Sequence, residues 1–452
     1  MRIITHWKTL IPLILSLGSA AGGRLPPLVE AARKADSHVL LTVLNQGVNV
    51  NEHDADGTTA LHWASYLDDV ESANLLISAG ARVNATNDLG ASPLWAASQN
   101  GSTAMVGKLL EAGADPNIKL LLGETPLMVA SRSGFPNVIK QLLTKGANVN
   151  ARAARGQTAL MWAVGQKHAD VVQLLLNSNA NIHARSEVWD QIMAVPPHGL
   201  PEYNRRILHG GNTALMFAAR VGDLTSAKLL VDSGSNVNDV NAWGVSATVL
   251  AAHSGHQELV KFLLKKGADP NSAGAGFTAL HEAIMRRDKK TVIALLKNGA
   301  NPNIPLQEWT PIRRASRDWN FSPALVGATP FWLAARLREP NVMRLLVKHG
   351  ADPLFVHYAD YAVSAIAERR KEVTTPLMAA MGIGGRIRGW VEPDPIQLES
   401  LILEAAKLTI EFGVDVNAVS TEGLTALDAA MAMKHKTVVK FLLERGARSG
   451  GQ

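Results

Sequence analysis

The sequence predicts an all-α fold, a solenoid of stacked helix-turn-helix units, on three observations. Triplets of one type recur, as Thr59-Ala60-Leu61, Ser92-Pro93-Leu94, Thr125-Pro126-Leu127 and Thr158-Ala159-Leu160, each 33 residues after the last. A second motif closes each unit, as in Gly113-Ala114-Asp115-Pro116-Asn117, Gly146-Ala147-Asn148-Val149-Asn150, Gly267-Ala268-Asp269-Pro270-Asn271 and Gly299-Ala300-Asn301-Pro302-Asn303. Between them, apolar residues fall at helical spacing, as in Val106, Leu109 and Leu110, or Val439, Leu442 and Leu443. A fixed period near 33 marks stacked supersecondary units rather than a single globule.

Each part of the unit has a physical reason. The Thr or Ser hydroxyl accepts from the open N–H groups of the first helical turn, and Pro follows where a missing N–H costs nothing. Ala pairs such as Ala218-Ala219, Ala251-Ala252 and Ala334-Ala335 keep the first helix thin, so a neighbour can approach. The second helix carries the larger apolar residues, and Gly113 and its equivalents end it in a left-handed turn. One pair cannot bury its apolar face alone, so stability comes from stacking and the ends need polar residues. Glu30, Arg33, Lys34 and Asp36 supply these at one end, and Lys434, Lys436, Lys440, Glu444 and Arg445 at the other.

The opening and closing motifs resemble those of the ankyrin-repeat family, from about Pro27 to Gly446. The triplets continue at Thr213, Ser246, Thr278, Thr329, Thr375 and Thr425, and a shortened unit from Pro27 to Asn51 brings the expectation to eleven repeats. The resemblance implies an ankyrin-repeat solenoid with β-hairpin fingertip loops and a concave groove that holds partners. Matched by register, the groove row is Arg33, Tyr66, Gln99, Arg132, Gln166, Arg220, His253, Met285 or Arg286, and Arg336. Arg and Lys are equally ordinary there as solvated surface.

Four intervals exceed the period, and three of them place inserts near Glu187 to Gly210, Glu308 to Gly327 and Phe355 to Lys371, between a closing motif and the next triplet. The fourth, near Ile383 to Pro395, separates the two helices of one repeat. The expected organisation is a signal peptide over 1–21, repeats over 26–186, an insert over 187–210, repeats over 211–307, an insert over 308–327, and repeats over 328–449 with inserts near 355–371 and 383–395. Trp189, Trp309, Trp319 and Trp390 lie in inserts, where less framework exists to bury them, and Arg205, Arg206, Arg313 and Arg314 lie nearby. Aromatic residues beside arginine are typical interface anchors. Trp63, Trp95, Trp162 and Trp332 instead follow the triplet within one residue of each other, which reads as inter-repeat core.

The N-terminus joins Arg2 and Lys8 to an apolar stretch from Leu10 to Leu17 and then Gly18-Ser19-Ala20-Ala21, the pattern of a cleaved secretory signal. The apolar run is about half of the ~20 residues a membrane-spanning helix needs, so no membrane insertion is expected after its removal. The expected destination is the periplasm or the exterior, where a chain without cysteine must be stabilised by packing alone. The net charge of +6 is diffuse, with no run of five basic residues, and nucleic acid is not expected as a partner.

Little reads as chemistry. His253 and His256 form the closest of the histidine pairs, without a zincin pattern, and no metal site is expected. His198 and His209, with Asp190 and Glu202, share an insert but no ligand spacing. Gly382 to Arg388 is rich in glycine and arginine, yet a phosphate loop needs a strand before it and a helix after. Cofactors are not expected. The sequence therefore reads as a monomeric, non-catalytic scaffold for a protein partner, held through the groove and the inserts. The alternative is a ligand-binding or enzymatic site built by the inserts, with His198, His209, Arg313 and Arg314 nearest to it.

Overall fold

The computed structural model describes residues 25–194, 204–310, 321–362, 368–384 and 394–450. Most of the described repeats begin where a hydroxyl caps the first helix. Ser92 and Thr125 accept from the amides of Trp95 and Met128 at 3.2 and 3.3 Å, and Thr329 from that of Trp332 at 3.4 Å. His62 and His281 complete reciprocal caps with Thr59 and Thr278.

The chain forms two compact units, Met1–Glu187 with Lys228–Ser235, and Val188–Ala227 with Asn236–Gln452. The first unit holds helix pairs α1 (Pro27–Arg33) and α2 (Ser37–Asn45), α3 (Ala60–Tyr66) and α4 (Val70–Ser78), α5 (Pro93–Asn100) and α6 (Thr103–Glu111), α7 (Pro126–Ser133) and α8 (Pro136–Thr144), and α9 (Ala159–Gly165) and α10 (Ala169–Asn177). First helices pack on first helices along the unit, and second helices on second helices. Ala64, Ala97, Ala130 and Ala163 are fully buried and let the first layer close up, while Leu76, Leu109, Leu142 and Leu175 fill the second. Burying each such leucine is worth about 1.5–3 kcal/mol.

In the second unit a hairpin of β1 (Trp189–Ala194) and β2 (Asn204–His209) precedes α11 (Ala214–Val221), and α12 (Leu224–Asp232) is divided between the two units. Pairs α13 (Ala247–Ser254) and α14 (Gln257–Lys265), α15 (Ala279–Met285) and α16 (Lys289–Lys297), and α17 (Pro330–Arg336) and α18 (Pro340–Lys348) follow. A second hairpin, β3 (His357–Ala362) and β4 (Arg369–Thr374), leads to α19 (Pro376–Ala380), then the long α20 (Pro395–Glu411), and α21 (Ala426–Ala432) with α22 (Lys436–Glu444).

Sequence reading identified the closing asparagine but not its work. The Asn117 side-chain amide donates to the Gly146 carbonyl at 3.1 Å, and its Oδ1 accepts from the Asn148 amide at 2.8 Å, so one side chain ties two consecutive repeats together. Asn84 and Asn150 repeat both bonds in the first unit, and Asn238, Asn271, Asn303 and Asn417 in the second. Asn303 reaches Gly350 across the insert that follows it. His183 and Leu354 occupy the same position without a carboxamide.

The turn between paired helices uses a left-handed residue. Gly134 sits at φ 79°, where a Cβ would lie 2.6 Å from the His168 ring of the next unit, so stacking as well as torsion demands glycine. Lys167, at φ 65°, fills the equivalent place without glycine.

Candidate functional site

The expected groove residues all stand at the C-terminal ends of the first helices or just beyond, but they differ in exposure. Arg33, Gln166 and Arg220 are exposed, and Tyr66, Arg132, Arg286 and Arg336 are partly buried. Gln99 and His253, expected at exposed helix ends, are each only 8% exposed.

The row is cross-braced by neighbouring repeats. The Arg132 guanidinium lies 4.8 Å from the centre of the Trp162 ring, and that of Arg33 lies 5.8 Å from Trp63. Burial lowers the pKa of Arg132, an effect that the nearby Glu124 carboxylate opposes; burial in turn raises that of Glu124. Donors from one repeat also satisfy the open carbonyls of its neighbour's first helix. Asn100 donates to the carbonyl of Tyr66, and His168 Nε2 lies 3.1 Å from that of Arg132. In the second unit Arg286 Nη1 donates to the His253 carbonyl at 2.8 Å, and His256 Nε2 lies 3.2 Å from that of Arg220. The row thus serves as an inter-repeat clamp.

The four framework tryptophans separate by their one-residue offset. Trp95 and Trp332 stand three residues after the capping Ser or Thr and are buried core, 3% and 0% exposed. Trp63 and Trp162 stand four after it, half-buried on the row where arginine covers them. Sequence reading grouped all four as core; a 100° turn of the helix makes the difference.

One buried ionisable pair escaped sequence reading. Glu282 of α15, 1% exposed, meets His253 of α13 with Oε2 3.0 Å from Nδ1. Its other oxygen, Oε1, has no hydrogen-bond partner. The signal was an acid at a position where the neighbouring repeats carry Phe217, Leu250 and Leu333. Nearby, Arg287 pairs with Glu339 and donates to the Leu337 carbonyl at 2.6 Å.

Of the insert residues, Trp189 is exposed and stacks on His209 with ring centres 5.5 Å apart, and Arg206 pairs with Asp190 across the hairpin. Trp309 is partly buried beside Thr310, whose amide and hydroxyl bond Phe321. Arg313, Arg314 and Trp319 lie outside the described residues, as do His198, Glu202 and Trp390. On the second hairpin the Tyr361 hydroxyl donates to Glu372 at 2.6 Å, while Tyr358 is exposed. Leu121 and Leu122, 75% and 65% exposed, crown a fingertip that sequence reading passed over. Among the described residues no three His, Cys, Asp or Glu side chains gather as metal ligands, and no helix is long and apolar enough to cross a membrane. Gly384 of the glycine-rich stretch accepts from Arg336 Nη2 at 3.4 Å, and residues 385–388 lie outside the described residues.

Comparison with known proteins agrees with this geometry. Family models described as ankyrin repeats (3 copies) match residues 11–87, 28–120, 94–186 and 215–306; ankyrin repeats (many copies) match 403–443; and a single ankyrin repeat matches 326–358. The chain is 30% identical over 269 residues to the E3 ubiquitin-protein ligase KEG of Arabidopsis thaliana, covering 52% of this chain and 15% of that protein. It is 34% identical over 113 residues to the mouse ankyrin repeat, SAM and basic leucine zipper domain-containing protein 1, covering 24% of each. It therefore spans less than a quarter of the length of either relative. Among solved structures, the human ASB11 ankyrin repeat domain is 30% identical with a TM-score of 0.45, covering 54% of this chain and 99% of that one.

Proposed function

This chain belongs to the ankyrin-repeat family, and on that premise we propose that it is a non-catalytic scaffold that binds a protein partner through its first-helix row and its fingertip inserts. The observation that carries the reading is the set of side chains on that row, where half-buried Trp63 and Trp162 lie under arginines while Trp95 and Trp332 are sealed in the core. Aromatic residues with arginine are the commonest energetic anchors of interfaces. The inserts support it further, because their ordering costs conformational entropy that repeat stacking does not repay. Trp189, Trp309, Arg313, Arg314 and Trp319 are the insert residues assigned to the partner, with Arg33, Tyr66, Gln99, Arg132, Gln166, Arg220, His253, Arg286 and Arg336 along the row.

The same reading makes it an array of eleven repeats, exported to the periplasm or the exterior, with residues 1–21 as the leader. Arg2, Lys8, the apolar run from Leu10 to Leu17 and the small residues after it support export. Edman sequencing of the native protein should begin at Ala21 or Gly22, and an intact Met1 would defeat it. Cross-linking in the exported fraction, with mass spectrometry, identifies the partner. Replacing Trp309, Arg313, Arg314 and Trp319 together by Ala should abolish its capture with melting unchanged. Undiminished capture would remove the inserts from the binding face.

A further inference from the structure

The hairpin of β1 and β2 in the second unit has two faces of different character. Its register sets Trp189 opposite His209 and Gln191 opposite Ile207 on one face, and Asp190 opposite Leu208 and Ile192 opposite Arg206 on the other. Ile207 is 8% exposed, so the first face packs against the protein. On the second face Ile192 and Leu208 are 64% and 47% exposed, beside the exposed side chains of Arg206 and Asp190.

An antiparallel pair with one face in water ordinarily turns polar residues outward. Ile192 and Leu208 break that rule together. Strand propensity accounts for a branched isoleucine on such a face but not for a leucine. The four side chains form a square, in which the register puts the two apolar residues on one diagonal, while the ion pair of Asp190 with Arg206 spans the other.

We propose that this face docks a second copy of the chain, about a twofold axis that lies in the contact plane along the Ile192 to Leu208 diagonal. That axis sets Ile192 on Ile192 of the other copy, Leu208 on Leu208, and each Asp190 on the other copy's Arg206. A twofold along or across the strands would set charge on apolar surface, and one along the ionic diagonal would set like charges together. The square is therefore complementary to itself in one arrangement, as an isologous contact requires. The strands of the two hairpins then cross steeply, as in orthogonal sheet packing. Such a patch is far smaller than the roughly 20–30 residues a side of a stable interface, so the association is weak and grows with concentration. The monomer expected from sequence is its dissociated form. Trp189 belongs to the opposite face, so the inference does not depend on the partner reading.

Because the chain has no cysteine, single replacements in the full chain allow cross-linking without background. A short bifunctional maleimide should link Ile192→Cys to itself, and Leu208→Cys to itself, severalfold faster than Asp190→Cys to itself. Sedimentation equilibrium supplies the second arm. The wild type should associate as concentration rises over a roughly hundredfold range, and Ile192→Thr, which keeps a branched strand former, should not. Asp190→Arg alone and Arg206→Asp alone should stay monomeric, whereas their equimolar mixture should associate again, since every Arg of one then faces an Asp of the other. A wild type that remains monomeric throughout, undiminished association of Ile192→Thr, or Ile192→Cys linking no faster than Asp190→Cys would each overturn the proposal. So would a mixture without rescue, where both charge variants melt as the wild type does; if they melt early, the cross-linking comparison decides.

Discussion

The Arg132 guanidinium lies 4.8 Å from the centre of the Trp162 ring, a contact made between consecutive repeats. Position seven after one capping residue thereby covers position four after the next, and the same spacing joins Arg33, seven after Pro26, to Trp63, four after Thr59. Because both groups are partly buried, the attraction is weakly screened. A double-mutant cycle with Arg132→Ala and Trp162→Ala, read by urea unfolding, should give a coupling of about 0.5–1 kcal/mol. Additive losses would reduce the stack to mere proximity.

Removing one asparagine rung should be felt by its neighbour. Asn117→Ala deletes two inter-repeat hydrogen bonds and should cost about 1–2 kcal/mol. Hydrogen exchange at the Asn148 amide, which loses its acceptor, should accelerate more than at amides of distant repeats. Uniform exchange across the chain would show that the rung carries no local stability.

A rung should also be possible to add. Leu354 is 55% exposed and takes the asparagine position two residues after Asp352, and Gly413 ends α20 at φ 89° as Gly146 ends α8 at 85°. Leu354→Asn is expected to raise stability by about 0.5–1 kcal/mol. An unchanged or lower melting temperature would mean that the carbonyl there is out of reach.

Acid should loosen both units, because each holds a buried histidine. Burial depresses the pKa of His62 and of His281 to about 4, against the ordinary 6.5. Between about pH 6.5 and 4 the unfolded chain binds more protons, so each histidine's contribution is present above that window and lost as pH falls through it. Each should cost about 2–3 kcal/mol across the window. Asp54 of the first unit acts the other way, because burial and the hydrogen bond with Asp56 raise its carboxyl to about 6, and its contribution fades as pH rises through that value. His281→Asn should flatten the pH dependence of melting, and an unaltered slope would refute the assignment.

Much of the fold was legible in the residues because its determinants are local. A capping hydroxyl, its Pro or Ala, the thin first helix and the closing glycine act within a few residues of one another, so Thr125 and Gly146 announce their roles in a single linear reading. Two breaks in the period fall where the hairpins β1–β2 and β3–β4 lie.

By itself the sequence determined the unit and its period, since helix capping and helical spacing depend on near neighbours along the chain. Only the tertiary structure decided what the first-helix row touches, because each contact partner comes from the next repeat. Arg132 meets Trp162, Asn117 meets Gly146 and His253 meets Glu282, and each pair is brought together by stacking about 30 residues apart in sequence. One residue of helical phase then separates a sealed Trp95 from a half-covered Trp162, since a 100° rotation moves a side chain from the core to the face.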